Sequence, residues 1–180
     1  MPADHLNVIE RSLIDTLRNP SSSPWSSGDV TVFGQFPETD EVKYPCIIVE
    51  HVANGIETQF IGQKTTFGSG SSLTDKDGEL YGIGFDIWIA CDKESEVSVI
   101  PPPGTGSAVK YKQRRLLNYM QLQVANILMD LDFETLTPYM TEVTERHFQG
   151  FRNITYNPNL ETWSARTSML ITFKNYRGNP

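Results

Sequence analysis

The residues able to do chemistry here are two cysteines, three histidines and a run of carboxylates spaced like part of a cation loop. Cys46 and Cys91 would act as nucleophiles or ligands beside a base or in a C-x-x-C pattern, and neither has that setting. Each lies in an apolar run, which reads as a buried free thiol packed as a small hydrophobe. A disulfide stays open if their strands are neighbours. His5, His51 and His147 share no ligand spacing and read as surface or structural histidines. In Asp75-Lys76-Asp77-Gly78-Glu79 the glycine falls too early for a calcium loop and the closing bidentate glutamate is missing. That segment reads as a tight turn opening a strand. Gly68-Ser69-Gly70-Ser71-Ser72 is glycine-rich, but no Lys-Ser/Thr follows and no helix opens there, as a phosphate cradle requires. Gly82-x-Gly84 lies inside a strand, which fails the context of a dinucleotide fingerprint. The patterns H-E-x-x-H and G-x-S-x-G are absent. The sequence nominates no catalytic residue, no metal site and no cofactor.

Composition narrows the class further. A chain of 180 residues with 38% hydrophobic and 21% charged residues is expected to be one globular domain. Its net charge of −7 argues against non-specific binding to nucleic acid, which needs clustered Lys and Arg. No apolar run approaches the roughly 20 residues of a membrane span. The start, MPADHLNVIERS, lacks the features of a signal peptide. Cytoplasm is the default compartment.

The elements that must position these residues follow from periodicity. Leu6, Ile9, Leu13, Ile14 and Leu17 make one stripe of a helix over residues 4–18, with Asp4 as N-cap. Asn19-Pro20 ends it. Trp25 anchors the loop that follows. Val30 to Phe36 reads as a short strand and Cys46 to Val52 as a strongly apolar one in mid-sheet. Asn54-Gly55 signals a hairpin that returns Ile56 to Gln63 against it. Glu79 to Cys91 alternates cleanly. Tyr81, Ile83, Phe85, Ile87 and Ile89 take the core face, and Gly82, Gly84, Asp86 and Trp88 the other, which is expected to be partly exposed or to meet another subunit. Polar segments flank this strand at Gly62–Gly78 and Asp92–Ser107 and read as flexible. A helix is expected from Lys110 to about Leu131 on the stripe Leu116, Met120, Val124, Ile127 and Leu131. Its first turns carry Lys110, Lys112, Arg114 and Arg115, which are either a solvated end or a docking patch for an acidic partner surface. Two strands close the chain, roughly Tyr139 to Tyr156 and Glu161 to Asn175, turned by Asn157-Pro158-Asn159. The expected fold is α+β, a largely antiparallel sheet with two helices on one face.

The order of these elements, with "YPCIIVE" after the first helix, "GELYGIGFDIWIA" leading into "YKQRRLLNYMQLQVANIL", and the closing "WSARTSMLITFKNY", resembles the tail terminator (tail completion) proteins of tailed bacteriophages. That resemblance spans most of the chain and carries no diagnostic motif. It implies a structural virion protein assembled in the host cytoplasm. It would form a hexameric ring on the last tube ring, stop tube growth and present a surface to the head–neck connector, or to a sheath if the tail contracts. It implies no catalytic residues. The interface candidates are Asp86, Trp88, Lys112, Arg114 and Arg115, with Trp25 weaker. DNA would slide through such a ring, and Asp75, Asp77, Glu79, Glu94 and Glu96 are candidates for an acidic lumen that does not grip phosphate. Two other readings stand: another neck, head–tail joining or tube-like component, and a small ligand-binding domain or enzyme.

Overall fold

The computed structural model describes residues 5–19, 24–25, 28–38, 41–52, 57–67, 74–99, 107–131 and 142–176. Among them the elements run α1 (His5–Arg18), β1 (Thr31–Phe33), β2 (Cys46–His51), β3 (Glu57–Phe67), β4 (Thr74–Asp92), β5 (Glu96–Val99), β6 (Val109–Lys112), α2 (Gln113–Asp130), β7 (Glu142–Phe148), β8 (Arg152–Asn157) and β9 (Thr162–Tyr176). Seven strands form one mixed sheet in the order β1-β2-β4-β9-β7, with β3 on β4 and β8 on β9. The α+β class expected from sequence is the fold observed.

β4 is the spine. Its 19 residues pair with β9 along one edge, from Gly78↔Tyr176 to Asp92↔Thr162. The other edge is shared: β2 occupies Phe85–Ala90 and β3 occupies Thr74–Gly82, end to end. β9 is divided in the same way between β7 and β8. Alternation then makes two faces. On one, Ile83, Phe85, Ile87, Ile89 and Cys91 from β4 join Ala165, Met169, Ile171 and Phe173 from β9, all almost fully buried. Both helices cover that face. Ile9, Leu13 and Leu17 of α1 and Leu116, Leu117, Met120 and Val124 of α2 are fully buried against it. Each such side chain contributes about 1.5–3 kcal/mol by leaving water. Gly34 follows β1 where a Cβ would stand 2.8 Å from Cδ1 of Ile14, so a larger residue there would require the end of the Ile14 side chain to move.

Several expectations are corrected. Val30 to Phe36 yields only the three residues of β1, which pair with β2 in parallel, Thr31↔Cys46, the two strands being joined by the long connection 34–45 and not by a hairpin. β3 does not return against β2. β1 and β4 already hold both edges of β2, so β3 continues onto β4. The Asn54-Gly55 signal lies outside the described residues, as do Asp4, Asn19's follower Pro20 and the stretch 132–141. Most of the segment read as flexible between Gly62 and Gly78 is ladder, with Lys64↔Asp77 and Thr66↔Asp75 in register. Asp75 to Glu79 is therefore strand and not a turn. The second helix begins at Gln113, not Lys110. Lys110 and Lys112 lie on β6, whose ribbon with β5 occupies part of the other segment read as flexible. That ribbon is held by buried Val97 and by Tyr111, which stacks on Tyr119 at 4.6 Å. Tyr119 in turn donates its hydroxyl hydrogen bond to the carbonyl of Pro24 at 2.6 Å, beside the buried Trp25. Trp25 is thus a core plug.

Candidate functional site

Among the described residues, the face of the sheet away from the helices holds a concentration of interacting polar side chains beside a depression. Asp86 of β4 stands beside Arg166 and Ser168 of β9, placed there by the antiparallel register Asp86↔Ser168 and Trp88↔Arg166. Arg166 donates from Nη2 to Asp86 Oδ2, and Ser168 Oγ donates to Oδ1 at 2.6 Å. Asp86 is 6% exposed, whereas the Arg166 side chain is 48% exposed. The guanidinium also lies over the Trp88 ring, 5.2 Å from its centroid. Trp88 meets Phe36 edge-on at 5.7 Å. Carboxylate below and indole beside it therefore fix the arginine in one orientation.

This cluster borders a depression of about 400 Å³ lined by Trp88, Gln149, Gly150, Thr155, Ser164 and the stretch 165–168. It opens where β9 changes partner from β7 to β8. The joint is tied by Gln149 N donating to Ser168 O at 3.1 Å and by Thr167 Oγ1 donating to Gly150 O at 2.8 Å. Gly150 has φ +76°, a conformation that suits glycine at the joint. The lining is hydroxyl and amide with one partly exposed cation, an arrangement that offers donors to an anionic oxygen.

The sequence-nominated residues fall in different places. Asp86 and Trp88 come together on the face expected to be partly exposed or to meet another subunit, and Asp86 itself is buried and ion-paired there. Lys112, Arg114 and Arg115 lie at the opposite side of the sheet, where α2 starts. Lys112 Nζ is 2.6 Å from Glu96 Oε2, and Lys110 pairs with the same carboxylate. Lys110, and then Lys112, hydrogen-bonded to Glu96, hold its carboxyl below the usual range. Arg114 and Arg115 are exposed. Of the lumen candidates, Glu96 is thus engaged within the ribbon, Glu94 is exposed, and Asp75, Asp77 and Glu79 occupy alternate positions of β4. Sequence reasoning missed Arg166 and Ser168. The one available signal was the alternation Arg166, Ser168, Leu170 on the polar side of β9, which gives a face without its partner.

Cys46 and Cys91 cannot pair across this sheet. Cys46 faces Ala90 in register, so Cys91 projects from the other face. Burial pushes each thiol up to about 12, and Cys91 Sγ donates to Gln113 O at 3.4 Å. Among the described residues no three His, Cys, Asp or Glu side chains are grouped to hold a metal ion, and no helix is long and apolar enough to cross a membrane. Compared with models of protein families and with curated protein sequences, the chain gives no match.

Proposed function

We propose that the chain is a structural ring subunit, and within that class a tail terminator that caps a phage tail tube, ends its growth and joins it to the head–neck connector. The observation that carries the assembly reading is the outer edge of β3. The eleven-residue β3 pairs with β4 on one side, with two register shifts between Thr58 and Gln63, and with no other described strand on the second. Sheets normally shield such an edge with brevity, proline, charge or bulges. β3 is long and has no proline, its two charged residues are Glu57 and Lys64, and Gln63 to Phe67 pairs without a shift. It offers a template for a strand of a second copy. β7 and β8 border the sheet on its other side, so a contact between the two borders is head-to-tail, the kind that closes into rings. The phage assignment is supported by the order helix, strand, hairpin, helix and antiparallel pair, and by the residues quoted for the resemblance.

The test is the mass of the purified protein by light scattering, with negative-stain images of the same sample and a binding assay against purified tail-tube protein. A hexameric ring that Thr58→Lys with Thr66→Lys breaks into protomers is the expected result. Stacking into tubes, or binding on the portal side without binding the tube, assigns the chain to another joining component. A monomer that ignores the tube overturns the reading.

A further inference from the structure

We propose that the depression beside Arg166 is a carboxylate-binding site, with Arg166 as its fixed donor. Three observations converge on it. The guanidinium is held by Asp86 and the Trp88 ring, so little side-chain freedom is lost when it takes a second partner. Nearly half of the Arg166 side chain is exposed, and the residue lines the depression. The rest of the lining adds the hydroxyl of Ser164 and the side-chain amide of Gln149.

Glu50 faces Asp86 from β2, on the side away from the depression. A carboxylate entering the depression would meet a guanidinium able to bind it through two parallel N–H groups and the Ser164 hydroxyl, able to donate to a remaining lone pair. Its source is either an acidic side chain of a partner polypeptide or a free small acid. This inference does not depend on the ring reading.

The test is a titration of the full chain followed by nitrogen–proton NMR, with a capped tetraglutamate peptide, its tetraglutamine counterpart and sodium succinate as probes. Tetraglutamate is expected to shift the Arg166 Nε–H and the amides of Gly150, Ser164 and Ser168, and tetraglutamine to leave them in place. Arg166→Lys keeps the charge that Asp86 needs but loses the planar fork, and should weaken binding at least fivefold. Stronger binding of succinate than of tetraglutamate assigns the site to a small acid, and the reverse order to a peptide side chain. Equal shifts from tetraglutamine, shifts confined to Arg114 and Arg115, or wild-type binding by Arg166→Lys overturns the proposal.

Discussion

Arg166→Ala and Asp86→Asn remove opposite halves of one ion pair, and their costs should differ. Asp86 is 6% exposed and the Arg166 side chain 48% exposed. Removing the guanidinium leaves a carboxylate in the sheet with the Ser168 hydroxyl as its remaining side-chain donor. Breaking a buried pair in this way costs about 3–5 kcal/mol. Water already reaches half of the arginine, which sets the loss at the low end, about 3 kcal/mol. Loss of the contact with Trp88 adds up to about 1 kcal/mol. Asp86→Asn, in contrast, leaves a cation that water can solvate and an amide oxygen that Ser168 can still reach. Its cost should be about 1 kcal/mol. The double variant should fall short of the summed single costs by about 1–2 kcal/mol. Urea unfolding, followed by circular dichroism and tryptophan fluorescence, measures all three. Runs at two protein concentrations separate folding from linked assembly. Equal single costs, a reversed order or strict additivity would refute the reasoning.

Other expectations follow from features elsewhere in the fold. Both thiols are held near 12 against an ordinary value of 9.0, so the unfolded chain ionises them first and stability falls as pH rises between those values. The decline is up to about 1.4 kcal/mol per pH unit for each thiol. Cys46→Ala with Cys91→Ala should flatten it in urea titrations from about pH 8 to about pH 10.5, and unchanged slopes would count against it. Gln113 opens α2 at φ +53°, where non-glycine residues carry about 1–2 kcal/mol of strain. Thermal unfolding should therefore rank Gln113→Gly above the wild type and Gln113→Val below it. In the ring reading, Asp75→Lys with Asp77→Lys turns the candidate lumen basic and should raise affinity for a short DNA duplex at low salt. A mobility-shift assay with no change would remove these acids from that role.

Much of the scaffold was legible because its signals are local. The stripe Ile9, Leu13, Leu17 marks α1, and the alternation Ile83, Phe85, Ile87, Ile89 marks the core face of β4. The turn at Asn157 forms as its residue types dictate, with Asn157 Oδ1 accepting from the backbone of Asn159 at 3.0 Å. What stayed hidden depends on partners distant in sequence. Asp86 looks like a partly exposed or subunit-facing acid until Arg166 and Ser168 arrive beside it from β9. Asn54-Gly55 suggests a return against β2, but both edges of β2 are taken by strands that no local pattern names. Lys110 and Lys112 continue the apparent helix because lysine is a good helix former. Pairing with Glu96–Val99 overrides that preference, since a ladder and two ion pairs form together on β5 and β6. The depression was invisible for the same reason, being made where three strands meet.

The shared spine has a consequence for how the molecule comes into being. Every contact between β4 and β9 joins positions far apart in the chain, from Asp92 with Thr162 to Gly78 with Tyr176. Sheets built from such distant pairings fold slowly, in milliseconds to seconds, because a large loop must close before any contact rewards it. During synthesis β4 leaves the ribosome well before its partner exists. Until β9 arrives, the apolar row Ile83, Phe85, Ile87, Ile89 has an unpaired border, which is the condition under which nascent chains aggregate or engage chaperones. Yield in the cell should therefore respond to translation speed through residues 93–161, the stretch over which β4 waits.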